Sequence, residues 1–122
     1  MTNQEIVKKF LTAFNNIPEI QKAYDLLADN YKFKNPMVEI NSKSEFIKLA
    51  KKIGAVVTGI NVINISQNGK WVTTLYDFKS SIPGLENNIA SEWFKVENGI
   101  IKESILIYDT YEWRKFYEQM KI

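Results

Sequence analysis

Glu92 and Asp109 are the carboxylates whose settings suit acid–base chemistry. Glu92 lies in Asn88-Ile-Ala-Ser-Glu-Trp-Phe-Lys-Val-Glu97, and Asp109 closes Ile105-Leu-Ile-Tyr-Asp109. A carboxyl held among apolar side chains resists ionisation, which raises its pKa toward neutrality and makes it a proton donor or general acid. The chain has no cysteine and no histidine. Thiol nucleophiles, imidazole bases, disulfides and thiolate or imidazole metal sites are therefore excluded, and acid–base work falls to carboxylates, phenols and amines. There is no phosphate-binding glycine loop and no metal-ligand spacing, so neither a cofactor nor a metal is expected.

Strand alternation sorts the candidates by face. Ala90, Glu92, Phe94 and Val96 share one side of their strand, opposite Ile89, Ser91, Trp93 and Lys95. If the Glu92 side is concave, Glu92 is a desolvated acid with Phe94 beside it; if convex, it is a solvated sheet residue. On the last strand, strict alternation groups Ile101, Glu103, Ile105, Ile107 and Asp109 against Ile100, Lys102, Ser104, Leu106 and Tyr108. Asp109 then either reaches the pocket rim or, directly before Thr110, helps cap the final helix. Tyr76, on the side of Val72, Thr74 and Phe78, either lines a pocket or packs in the core, and Tyr24 and Tyr31 pose the same choice. Asn35 before Pro36 either donates its amide to a ligand or serves only the turn.

The elements that must position these residues follow from periodicity. Thr2-x-x-Glu5 is a capping-box spacing ahead of Ile6, Val7, Phe10, Leu11 and Phe14, a helix over Glu5–Asn15. Pro18 opens a second helix carrying Ile20, Tyr24 and Leu27 and running to Ala28. Tyr31 and Phe33 alternate in a short strand that turns at Asn35-Pro36. Ser42-x-x-Glu45 starts a third helix over Phe46, Leu49, Ala50 and Ile53, with Gly54 as a left-handed stop. Four strands then form an antiparallel meander: Thr58–Ser66, Trp71–Lys79, Asn88–Glu97 and Ile100–Tyr108. Asn98-Gly99 marks a type I′ hairpin between the last two. Thr110 precedes a final helix bearing Trp113, Phe116, Tyr117 and Met120. Helices first and strands after predict one α+β domain over residues 1–122, with the N-terminal helices on the concave face of a curved antiparallel sheet.

Taken in order, three stretches resemble the nuclear transport factor 2-like superfamily, and within it the SnoaL-like polyketide cyclases and ketosteroid isomerase relatives. They are the helix pair leading into Tyr31-Lys-Phe-Lys-Asn-Pro36, the hairpin Glu92-Trp-Phe-Lys-Val-Glu-Asn-Gly-Ile100, and Ile105-Leu-Ile-Tyr-Asp109. The resemblance implies a cone-shaped sheet around one apolar pocket. It puts Glu92 where the isomerases keep a protonated aspartate as an oxyanion donor, and Asp109 where the cyclases use an aspartate for proton transfer. Two departures stand out: Asn35 replaces the aspartate that moves the proton, and Phe10 replaces the helix-one tyrosine that polarises the carbonyl. Steroid-type double-bond isomerisation is thereby disfavoured.

Two functions remain in view. One is a cofactor-independent isomerase or cyclase acting on a small apolar carbonyl compound, with Glu92 and Asp109 as catalytic residues and Tyr24, Asn35, Tyr76 and Phe94 contacting substrate. The other is a non-catalytic small-molecule-binding or dimerisation module. Lysines and acids nearly balance to a net +2 with Arg114 the only arginine, which argues against nucleic acid. No apolar run is long enough to span a bilayer and the first residues lack a basic leader, so no membrane is expected and a cytoplasmic location is. Large apolar groups on both sides of the last two strands predict a homodimer through the sheet, with Trp93, Leu106 and Tyr108 outward.

Overall fold

The computed structural model describes residues 1–120. Helix α1 spans Asn3–Thr12 and begins with the full capping box: the Thr2 backbone N–H donates to Glu5 at 2.9 Å, and the Glu5 N–H to the Thr2 hydroxyl at 3.1 Å. Its stripe Ile6, Val7, Phe10 and Leu11 is buried. Short 3-10 turns at Ala13–Asn15 and Ile17–Glu19 lead to α2, which is only Ile20–Tyr24. The sequence predicted a helix to Ala28, but Leu27 and Ala28 already belong to strand β1, Leu27–Lys34, because Leu27 pairs with Ile101. Sheet pairing at long range overrides the local helical pattern here.

Strand β2 is Glu39–Ile40, and α3 is Lys43–Gly54, with Ser42 accepting the Glu45 N–H at 3.2 Å. Gly54 does not supply a left-handed stop; it lacks a positive φ, and Ala55 ends the helix in the right-handed region. Strands β3 (Val57–Asn68), β4 (Trp71–Ser80), β5 (Asn87–Glu97) and β6 (Ile100–Tyr108) form the expected meander, followed by α4, Tyr111–Met120. The β5–β6 hairpin turns at Asn98 (φ 53°) and Gly99 (φ 77°), the two positive φ values that a type I′ turn requires.

The sheet is a curved, unclosed layer of six strands in the order β2-β1-β6-β5-β4-β3. The expectation of a wholly antiparallel sheet needs one correction: β1 runs parallel to β6, with Phe33 beside Ser104. A bulge decides which side chains of β6 face inward. Lys95 pairs with Glu103 but Val96 pairs with Ile101, so Lys102 is an extra residue and the alternation changes phase across it. Ile101, Ser104, Leu106 and Tyr108 consequently face the core, and Ile105 and Ile107 face outward. The predicted outward placement of Leu106 and Tyr108 is thus reversed, whereas Trp93 is outward as expected.

The concave side holds the core under α1, α3 and α4. Phe10 stacks edge-to-face on Phe94 at 5.6 Å, and Phe46 on Tyr31 at 5.1 Å. Trp113 of α4 meets Phe78 at 5.5 Å, and its indole N–H donates to Asn88 at 2.9 Å, tying the last helix to the end of β5. Each such buried aromatic contributes roughly 2–3 kcal/mol through burial, with about 1 kcal/mol more from edge-to-face pairing.

Candidate functional site

Glu92 sits mid-strand in β5, between Thr74 of β4 and Leu106 of β6, on the concave face. Only 4% of its surface is exposed. The Tyr76 hydroxyl, two residues along β4 from Thr74, donates to Glu92 Oε1 at 2.7 Å. The Ser104 hydroxyl of β6 lies on the other side of the carboxyl and favours its ionised form, and Ser104 is in turn in close hydrogen-bonded contact with the Tyr31 hydroxyl. A polar chain therefore runs Tyr76–Glu92–Ser104–Tyr31 across three strands and into β1, with every member buried.

Burial penalises the carboxylate, and the Tyr76 and Ser104 donors only partly offset that penalty, leaving the Glu92 pKa pushed up to about 7. The Tyr31 and Tyr76 phenols are held well above their ordinary value, first by burial and then by the charge of Glu92. Glu92 is the group in this chain of contacts that exchanges a proton near neutral pH.

Glu92 and Tyr76 open onto an apolar cavity of about 130 Å³. Its floor is buried Phe10, Phe33, Phe46, Phe78 and Trp113; half-exposed and exposed Phe14, Ile17, Ile53, Gly54 and Val57 mark its mouth. A cavity of about 150 Å³ houses one benzene, whereas drug-sized sites run to about 300–1,000 Å³. The space suits a single ring or a short branched chain and not a fused-ring skeleton. A second polar group lies across it, where Asn35 and the Tyr108 and Tyr117 hydroxyls meet. Burial raises both phenols, and Asn35 and Tyr108 act on Tyr117 in the opposite direction.

The residues singled out from sequence part into two groups. Glu92, Tyr76 and Asn35 line the cavity together. Asn35 also serves its turn: its Oδ1 accepts the Met37 and Val38 N–H groups at 2.8 and 2.9 Å. Asp109 does not join them. It is exposed and accepts the Tyr111 N–H at 3.0 Å, leading the chain into α4, as its capping alternative anticipated. Tyr24 and Phe94 are buried in the core and are not among the lining residues; Phe94 lies behind Phe10. Sequence reasoning missed Tyr108, Tyr117 and Ser104. Tyr117 is legible as part of the α4 stripe, while strict alternation puts Tyr108 and Ser104 on the outer face because the bulge at Lys102 leaves no mark in the sequence.

Among the described residues no cluster of acidic groups could hold a metal ion, and no helix is long and apolar enough to cross a membrane.

No protein-family model matches the sequence, and neither does any curated protein. Solved structures do match in fold. An NTF2-like protein of unknown function from Cytophaga hutchinsonii is similar at 21% identity, with TM-score 0.77 over 93% of this chain and 96% of that one. An LEH-like epoxide hydrolase from M. tuberculosis is similar at 22% identity, with TM-score 0.76 over 92% of this chain and 86% of that one. A de novo designed protein with a curved β-sheet is similar at 15% identity, with TM-score 0.79 over 98% and 96%. The chain therefore has the nuclear transport factor 2-like α+β fold. A designed sequence shares this architecture with an enzyme, so the fold by itself assigns no activity.

Proposed function

We infer that this protein binds a small, largely apolar molecule in the cone and acts on it through a single proton-active carboxyl, Glu92. The observation that carries this reading is the buried Glu92–Tyr76 pair opening onto an otherwise apolar cavity of about 130 Å³. A carboxyl near neutrality serves equally as hydrogen-bond donor, general acid and general base, and one such group suffices to take a proton from a carbonyl compound and return it. A cofactor-independent isomerase or cyclase chemistry remains consistent with that pair. The separation of Asp109 from the cavity removes the two-carboxylate version of that chemistry and leaves Glu92 alone to do it; a binding module without turnover is the second reading.

The test is a titration of the labelled protein with cyclohexanone and phenol, following the Trp113 indole N–H by NMR, in wild type and in Ala50→Phe, which fills the cavity. Saturable shifts at Trp113 in wild type and their loss in the filled variant are expected. Shifts confined to the convex face, or none at all, would remove the reading.

The convex face supports a homodimer. Leu75, Ile89, Trp93, Ile105 and Ile107 are exposed on three adjacent strands, with Trp93 directly beside Ile105. Lys95–Glu103 and Lys79–Asp77 ion pairs flank them. Such an apolar centre with a charged rim suits a second copy of the same sheet.

A further inference from the structure

We propose that the preferred ligand of the cavity is a small hydrophobic amine, held as an ammonium by the Glu92 carboxylate and the surrounding aromatic side chains. This deepens, and rests on, the reading of Glu92 as the working group of a small-molecule pocket.

Nine of the twenty lining residues are aromatic, and Glu92 is the one charged side chain among them. Aromatic faces carry negative potential and attract cations; they offer nothing to an anion. A carboxylate in that setting repels anions further. Arg114, the only arginine, lies near Tyr108 but reaches out to the Pro36 carbonyl and does not line the cavity. A buried carboxylate is stable only when paired, and within the described residues no side chain supplies the pair. A ligand ammonium would bring the missing counter-charge, while its hydrocarbon part fills the apolar space.

The titratable groups packed around Glu92 are Tyr31 from β1, Tyr76 from β4 and, further along the cavity, Tyr108 from β6 and Tyr117 from α4. All are phenols with raised pKa values, so all stay neutral through the range in question. Binding an ammonium therefore requires one ionisation, that of Glu92. With a midpoint near 7, the fraction of ionised carboxyl falls about 30-fold between pH 8.5 and 5.5, and amine affinity should fall with it.

The experiment compares benzylamine, benzyl alcohol and benzoate by calorimetry at pH 8.5 and 5.5, in wild type and in Glu92→Gln, whose fold is checked by its amide NMR spectrum. Benzylamine is expected to bind wild type at least tenfold more tightly than benzyl alcohol at pH 8.5, to lose most of that advantage at pH 5.5, and to lose it at both pH values in the variant. Benzoate is expected not to bind. Benzyl alcohol binding as tightly as the amine at pH 8.5, or an amine preference that survives in the variant, overturns the proposal and leaves the pocket reading intact. Failure of all three probes to bind wild type overturns both.

Discussion

Replacing Glu92 by glutamine removes the ionisable group of the cavity while keeping its shape and an oxygen to accept from Tyr76. In the unfolded chain this carboxyl titrates at its ordinary value of 4.5, and in the folded protein at about 7. The folded state holds the proton more tightly, so stability from this group is complete below pH 4.5 and is lost as pH rises through 7. A displacement from 4.5 to about 7, at about 1.36 kcal/mol per pH unit, amounts to about 3 kcal/mol lost by pH 8. Asp77, held below its ordinary value by Lys79, works in the opposite sense, and its contribution is lost only on the acid side. The window from pH 5 to 8 therefore belongs to Glu92. Urea melts at pH 5, 6.5 and 8 should show wild-type stability falling by about 2.5 kcal/mol, since part of the effect is already lost at pH 5, which is roughly 10 °C in Tm for a chain of this size, while Glu92→Gln stays nearly flat. Parallel pH dependence in the two proteins would refute the reasoning.

Three further outcomes are expected. Tyr76→Phe removes the donor that favours the ionised form, so the Glu92 midpoint should rise above 7 by about one unit in a carboxyl NMR titration, given about 1.5 kcal/mol for a hydrogen bond to a charged group. Asp109→Asn should leave probe binding and the Glu92 titration unchanged and lower stability by less than about 1 kcal/mol in urea melts, since the side chain only leads into α4. If the convex face joins two copies, wild type should sediment as a dimer and Ile107→Glu, on that exposed face, as a folded monomer.

Much of the fold was legible because its signals are local. Thr2 and Glu5, Ser42 and Glu45, and Asn98-Gly99 announce two helix starts and a hairpin through side chains that bond to, or backbone angles that belong to, their own neighbourhood. The end of α2 was not legible, because Leu27 enters a strand only by virtue of Ile101, far along the chain. The same holds for the site. Glu92 and Tyr76 could be placed on one face from alternation alone. Their partners Ser104 and Tyr108 could not, since one extra residue at Lys102 moves every following side chain of β6 to the other face. The family resemblance placed Asp109 at a pocket, and its turn geometry instead spends that carboxylate on the entry to α4.

The most direct measurement is a carboxyl-carbon NMR titration of Glu92 in the isotope-labelled protein, assigned by comparison with Glu92→Gln. A midpoint near 7 is the expected result and marks a desolvated acid poised to exchange a proton at neutral pH; a midpoint near the ordinary 4.5 would contradict it and leave the cavity without a working group.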